Sequence, residues 1–119
     1  MKIAISSQGK DMDSRCDPRF GRAKYFVVIN SETGDFTAHD NSQNLNASQG
    51  AGIQAAQNIN DFEADAVISG NVGPKALKAL NAAGIAVYTG AVGTVRDTLE
   101  NFSSGKLAKT EKATVEGHW

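Results

Sequence analysis

The chain has 119 residues, 40% of them hydrophobic and 21% charged, with a formal net charge of −1. That length suits one domain with its own core, burying roughly two-thirds of the surface an unfolded chain exposes. The near-neutral balance argues against a general nucleic-acid binder, which needs a strongly basic face, and no apolar run approaches the roughly 20 residues that cross a bilayer.

In chain order, Lys2 to Ser6 reads as a short β-branched strand stopped by Ser7-Gln8-Gly9. A long polar loop over residues 8–22 follows, carrying Cys16, Asp17-Pro18 and Arg19-Phe20-Gly21-Arg22. Lys24 to Asn30 is a second strand, Ser31-Glu32-Thr33-Gly34 a turn and Asp35 to His39 a third strand, together a hairpin. Asp40 to Gln49 is a polar loop.

Gly50 to Asp61 is expected to be helical, with Ile53, Ala56, Ile59 and Phe62 as its apolar face. Ala66 to Ser69 is apolar without alternation, as in a parallel strand covered on both faces. Gly70-Asn71-Val72-Gly73 leads to a second helix with Pro74 at its first position, Leu77 and Leu80 on its core face and Gly84 at its end. Ile85 to Tyr88 is a fifth strand, and Thr89-Gly90-Ala91-Val92-Gly93 another glycine loop. Thr94 and Asp97 resemble a capping box for a third helix that buries Val95, Leu99 and Phe102 and stops at Gly105. Residues 106–119 are polar and without period, the expected mark of a mobile tail behind a single domain over 1–105.

The order βββαβαβα has a geometric consequence. Strand two runs against strand one, strand three reverses again, and helical crossovers set the last two strands parallel to the first. The loops at 7–22, 40–50, 70–74 and 89–94 then start at one sheet edge, where all three helices begin. Ligands of α/β sheets bind outside the carboxyl ends of the strands. Helix starts offer free amides and partial positive charge, which suit an anion. Arg19 and Arg22 would add formal charge. The competing structural reading gives the glycines to tight turns, pairs the arginines with Asp13 or Asp17, and plugs the core with Phe20.

Catalytic signatures are missing. The glycine loops have neither the Gly-Lys-Ser/Thr ending of a phosphate loop nor a dinucleotide fingerprint. Asp11, Asp13 and Asp17 lie in a loop, and the first strand carries no carboxylate for a metal-dependent nuclease. An enzyme is therefore not expected. Arg15, Arg19 and Arg22 near Cys16 would favour its thiolate. Cys16 and His118 are the candidate metal-contacting side chains, although one thiolate cannot build a closed tetrahedral site. His39 reads as an ordinary strand residue. The lone cysteine rules out an internal disulfide, and the start, Met1-Lys2-Ile3-Ala4-Ile5, lacks signal-peptide features, so a cytoplasmic location is expected.

Three segments taken in order, Asp17-Pro18-Arg19-Phe20-Gly21-Arg22-Ala23, Gly50-Ala51-Gly52-Ile53 and Ser69-Gly70-Asn71-Val72-Gly73-Pro74-Lys75-Ala76, resemble the dinitrogenase iron–molybdenum cofactor biosynthesis family. Gly84-Ile85-Ala86-Val87 matches the segment that follows in that family, so the likeness spans about residues 1–105. Within it, the small stand-alone size is most similar to the orange proteins, which hold a molybdenum–copper sulfide cluster without covalent attachment. The resemblance implies a three-layer, ribonuclease-H-like α/β/α fold around a mixed five-stranded sheet.

It also implies a non-enzymatic role in binding, carrying or assembling an anionic metal–sulfur cluster of molybdenum–copper or iron–molybdenum type. The cluster-binding candidates are Arg19, Phe20, Gly21 and Arg22 in the first loop and Gly50 and Gly52 at the first helix. Gly70, Asn71, Val72, Gly73 and Gly90 complete them in the later loops. Nitrogenase-related members carry a histidine before Phe-Gly where this chain has Arg19, which favours holding by charge over ligation. The alternative is a protein-interaction or regulatory module, with a partner such as a cell-division or partitioning ATPase.

Overall fold

The computed structural model describes residues 1–41 and 50–114. Its elements follow the expected order: β1 (Lys2–Ser7), β2 (Tyr25–Asn30), β3 (Phe36–Asp40), α1 (Ala51–Asp61), β4 (Ala66–Ile68), α2 (Pro74–Ala82), β5 (Ala86–Tyr88) and α3 (Val95–Ser103). They build one five-stranded sheet in the order β3-β2-β1-β4-β5. β1 and β2 pair antiparallel with Ile5 opposite Val27, and β2 and β3 antiparallel with Val27 opposite Ala38. β4 lies parallel to β1, with Ala4 opposite Val67, and β5 parallel to β4, with Val67 opposite Val87.

Strand period two divides the core between the faces of the sheet. Ala4, Phe26, Val28, Val67 and Val87 pack with Ala55, Ala56 and Ile59 of α1 and Ala76, Leu77 and Leu80 of α2. Ile3, Ile5, Val27, Ile29 and Ile68 pack instead with Val95 of α3 and with Met12 and Cys16 of the first loop. β1 is buried at every position after Lys2 because it is central, whereas β3, at the edge, is largely exposed. The hairpin turn closes with Gly34 at φ 80°, its amide 2.8 Å from the Asn30 carbonyl.

Two helix faces differ in detail from the expectation. Ile53 is 47% exposed, and α1 buries Ala51, Ala55, Ala56 and Ile59. A strict three-residue spacing drifts around a helix of 3.6 residues per turn, so the ends of such a row leave the core face. On α3, Thr98 joins Val95 in full burial, while Leu99 and Phe102 are half-buried against the second cluster.

Of the 106–119 stretch expected as a mobile tail, residues 106–114 are bonded to the sheet through Thr110 and to the α2 loop through Thr114, and residues 115–119 lie outside the described residues. Leu107 packs on the second core cluster, Lys109 bridges antiparallel to Tyr88, and the Thr110 amide donates to the Val87 carbonyl at 2.7 Å. Pairing through the backbone at a sheet edge requires no apolar period, which is why the sequence gives no sign of it.

Candidate functional site

The first loop is tied down at the carboxyl ends of β1 and β4. Ser6 Oγ donates to the Asp17 carbonyl at 2.7 Å and shares a 2.9 Å bond with Ser69 Oγ, and the Asp17 amide donates to the Ser6 carbonyl. The Asp17 carboxylate, nearly fully buried, accepts the Arg19 amide at 3.0 Å and lies 3.5 Å from Arg19 Nε. From the next loop, the Asn71 amide donates to the Pro18 carbonyl at 2.8 Å, and the Phe20 amide donates to the Asn71 carbonyl at 3.3 Å. Asn41, buried past the end of β3, donates from Nδ2 to the Ala23 carbonyl at 2.8 Å.

Two glycines permit this packing. A Cβ on Gly70 would stand 2.7 Å from Pro18 Cα, and one on Gly21 would stand 2.8 Å from the Gly52 nitrogen. Both distances are below any real contact, so these glycines serve loop-on-loop and loop-on-helix approach. Gly52 in turn lies against Ala76 of α2 at 3.2 Å, measured from an added Cβ. The Arg19–Arg22 segment, the start of α1 and the start of α2 therefore form one packed unit.

Phe20 and Val72 are corrected as ligand-contacting side chains. They are 1% and 0% exposed and belong to the first core cluster, with the Phe20 ring 5.3 Å from Phe26. A loop lying over a sheet end needs an apolar anchor, and these two residues supply it. Arg19, Arg22, Gly50, Asn71, Gly73 and Gly90 keep at least part of their surface accessible.

The three helix starts are not equivalent. α1 begins at Gly50, in the left-handed region at φ 78°, and α2 begins at Gly73 with Pro74 next. Neither has a side-chain cap or an acidic residue in its first turn among the described residues. Their first intrahelical bonds, Gln54 N–H to Gly50 and Leu77 N–H to Gly73, leave the earlier amides without a helical partner.

α3 is closed. Thr94 Oγ1 accepts the Asp97 amide and Asp97 Oδ2 the Thr94 amide, both at 3.1 Å. The Val95 and Arg96 amides donate to the Ser14 and Met12 carbonyls at 2.9 and 2.8 Å. Of the three helix starts, that of α3 is thus closed within the protein, whereas those of α1 and α2 have no side-chain cap among the described residues. Gly90, at φ 90° with its amide on the Gly70 carbonyl at 3.1 Å, flanks the open pair from the closed side. Sequence reading overlooked Lys75, an exposed cation on the first turn of α2, as well as the anchors Ser6, Ser69 and Asn41. The signal for the anchors is a small polar residue just where a buried strand ends.

Cys16 is the second correction. Burial in the second core cluster pushes its pKa above the ordinary 9.0, opposed by its bond to Thr98 and by Arg15. Its Sγ lies 2.9 Å from Thr98 Oγ1 and 3.5 Å from the Thr94 carbonyl. Desolvation outweighs the arginine field, so the thiol form is favoured. Among the described residues no group of three or more His, Cys, Asp and Glu side chains is arranged to hold a metal ion. His118 lies outside the described residues. Arg19 pairs with Asp17, in agreement with the structural reading of that residue, and Asp13 pairs with Arg96 instead.

The molecule is thus an α/β protein whose Arg-Phe-Gly-Arg loop meets the glycine-led starts of α1 and α2 at the carboxyl edge of a mixed sheet. Residues 1–105 match the family model of the dinitrogenase iron–molybdenum cofactor proteins, and the chain belongs to that family. Its fold matches the apo form of the orange protein from Desulfovibrio gigas with a TM-score of 0.93, at 38% identity over 96% of each chain. A candidate NifB protein from Thermotoga, solved by NMR, matches with a TM-score of 0.84 at 34% identity over 98% of each chain. An uncharacterised protein of Methanocaldococcus jannaschii is 31% identical over 93% of this chain and 92% of its own length. No helix among the described residues is long and apolar enough to cross a membrane.

Proposed function

We propose that this chain is a non-enzymatic carrier of an anionic metal–sulfur cluster, bound at the open starts of α1 and α2 beside Arg19 and Arg22. The observation that carries this reading is the contrast among the helices: two start on glycine without a side-chain cap among the described residues, and they are the two packed against the arginine loop. Sulfide clusters with net negative charge accept hydrogen bonds from amides and guanidinium groups, and such charge-assisted bonds are the stronger kind. The family and the orange-protein likeness support the cargo class. A molybdenum–copper sulfide cluster is the cargo we favour within it, since Arg19 offers charge rather than a ligating atom.

The test is reconstitution of the chain with tetrathiomolybdate and copper, followed by gel filtration and amide NMR. Charge-transfer absorption should co-elute with the protein, and amides at 19–22, 50–54 and 70–76 should shift while those at 94–97 stay in place. Absorption that elutes apart from the protein, or shifts centred on α3, overturns the proposal. Elemental analysis of protein purified without oxygen identifies the metals.

A further inference from the structure

The glycine loop before α2 is gripped from two sides. On one side, Asn71 exchanges backbone hydrogen bonds with the arginine loop, giving its amide to Pro18 and accepting from Phe20. On the other, the Val72 backbone is held by Thr114. The Val72 amide donates to Thr114 Oγ1 at 2.9 Å, and the Thr114 amide donates to the Val72 carbonyl at 3.0 Å. Thr114 lies 42 residues further along the chain and reaches Val72 through the segment laid along β5. A second threonine fixes that path: Thr110 Oγ1 bonds Thr89 Oγ1 at 2.7 Å while its amide holds the Val87 carbonyl. The next residue after Val72 is Gly73, on which α2 begins.

We propose that residues 106–114 form a strap that is part of the cluster site, with Thr114 as the positioning residue that sets the start of α2. This rests on the cluster-carrier reading for its function, but not for its structural content. Without the Thr114 bonds the loop keeps its bonds at Gly70 and Asn71 and the buried Val72 side chain, but the Val72 backbone loses its partners directly before Gly73, the freest position of the loop. The amides of the first turn of α2 then lose their fixed direction toward the cargo, and preorganised donors become donors that must be ordered on binding. Detachment of the strap thereby weakens the grip on the cargo without altering a residue that touches it.

The experiment compares wild type with Thr114→Val and Thr114→Ser in two arms. In the first, without metal, hydrogen exchange is read at the Val72 and Asn71 amides. Thr114→Val removes the acceptor at nearly constant shape and should speed exchange about tenfold at Val72, with a smaller rise at Asn71. Thr114→Ser keeps the hydroxyl and should restore wild-type rates. A rise confined to Val72 makes the bond merely local and overturns the strap, as does unchanged exchange.

In the second arm, tetrathiomolybdate with copper is titrated into each protein. Thr114→Val should bind several-fold more weakly, and Thr114→Ser like wild type. Equal affinity for wild type and Thr114→Val also overturns the positioning role. If wild type itself takes up no tetrathiomolybdate, the carrier reading fails, and the strap is decided by exchange alone.

Discussion

The start of α3 and the starts of α1 and α2 stand at the same sheet edge yet are finished in opposite ways. At α3, Thr94 and Asp97 cap each other's amides, and Met12 and Ser14 take the two between them. Every donor the helix leaves orphaned is satisfied within the protein. At α1 and α2 the cap position is a glycine, the first turn carries no carboxylate, and the neighbouring loop brings arginines. The same fold that closes one helix start so fully leaves two others without a side-chain cap among the described residues. The difference separates a helix start closed within the protein from two that have no side-chain cap among the described residues, although all three helices pack on the core.

Breaking the packed unit around the open starts should have the largest effect. Gly70→Val drives a side chain into the Pro18 backbone, 2.7 Å from its Cα. It should lower stability by about 3 kcal/mol in urea unfolding and abolish cluster uptake. Removing charge should strike function more than stability. Arg19→Gln together with Arg22→Gln should cut cluster affinity by at least about tenfold, since each hydrogen bond to a charged group contributes about 1.5–3 kcal/mol. The unfolding midpoint should fall less than for Gly70→Val, because the Arg19 side chain is 43% exposed and the buried Asp17 carboxylate keeps the Arg19 backbone amide as a donor. The loss should shrink as salt is added.

The converse change at the closed end should strike stability alone. Thr94→Ala with Asp97→Ala should cost about 1 kcal/mol or more of folding stability and leave the cluster titration unchanged. Weakened uptake in that variant would place the cargo on the wrong helix. Closing an open start sharpens the contrast further. Gly73 sits at φ −79° and ψ 170°, which any residue adopts, so Gly73→Asp can cap α2. It should raise stability by a few tenths of a kcal/mol while lowering cluster affinity through its own carboxylate.

The smallest effect is the pH dependence of Cys16. Its folded pKa is raised, so the folded state keeps a proton that the unfolded chain releases near the ordinary value of 9.0. Stability is unaffected below that value and should fall as pH rises above it. Chemical denaturation between pH 7 and pH 10 checks the sign, and alkylation of native protein at pH 7 should be slow.

Much of the fold was legible in the sequence because each element announces itself locally. Pro74 marked the start of α2, Thr94 and Asp97 the start of α3, and the unalternated Ala66-Val67-Ile68 a strand covered on both faces. Strand directions then followed from chain order, and with them the edge where the loops gather. The candidate site was legible only as a neighbourhood. Phe20 and Val72 look like loop residues beside arginine and glycine, but a loop crossing a sheet end needs buried anchors, and these are they. Arg15 beside Cys16 suggested a thiolate, but burial against Ile3, Ile5 and Val95 outweighs one nearby cation.

The sequence by itself determined the elements, the sheet edge and the family, because caps, strand periods and short motifs are encoded within a few residues of one another. Tertiary structure alone decided which helix starts are open. Whether an amide at the start of α3 is free depends on the Met12 and Ser14 carbonyls, and whether the α2 loop is fixed depends on Thr114. Those partners lie tens of residues away in the chain, and backbone hydrogen bonds between distant segments leave no mark on side-chain pattern.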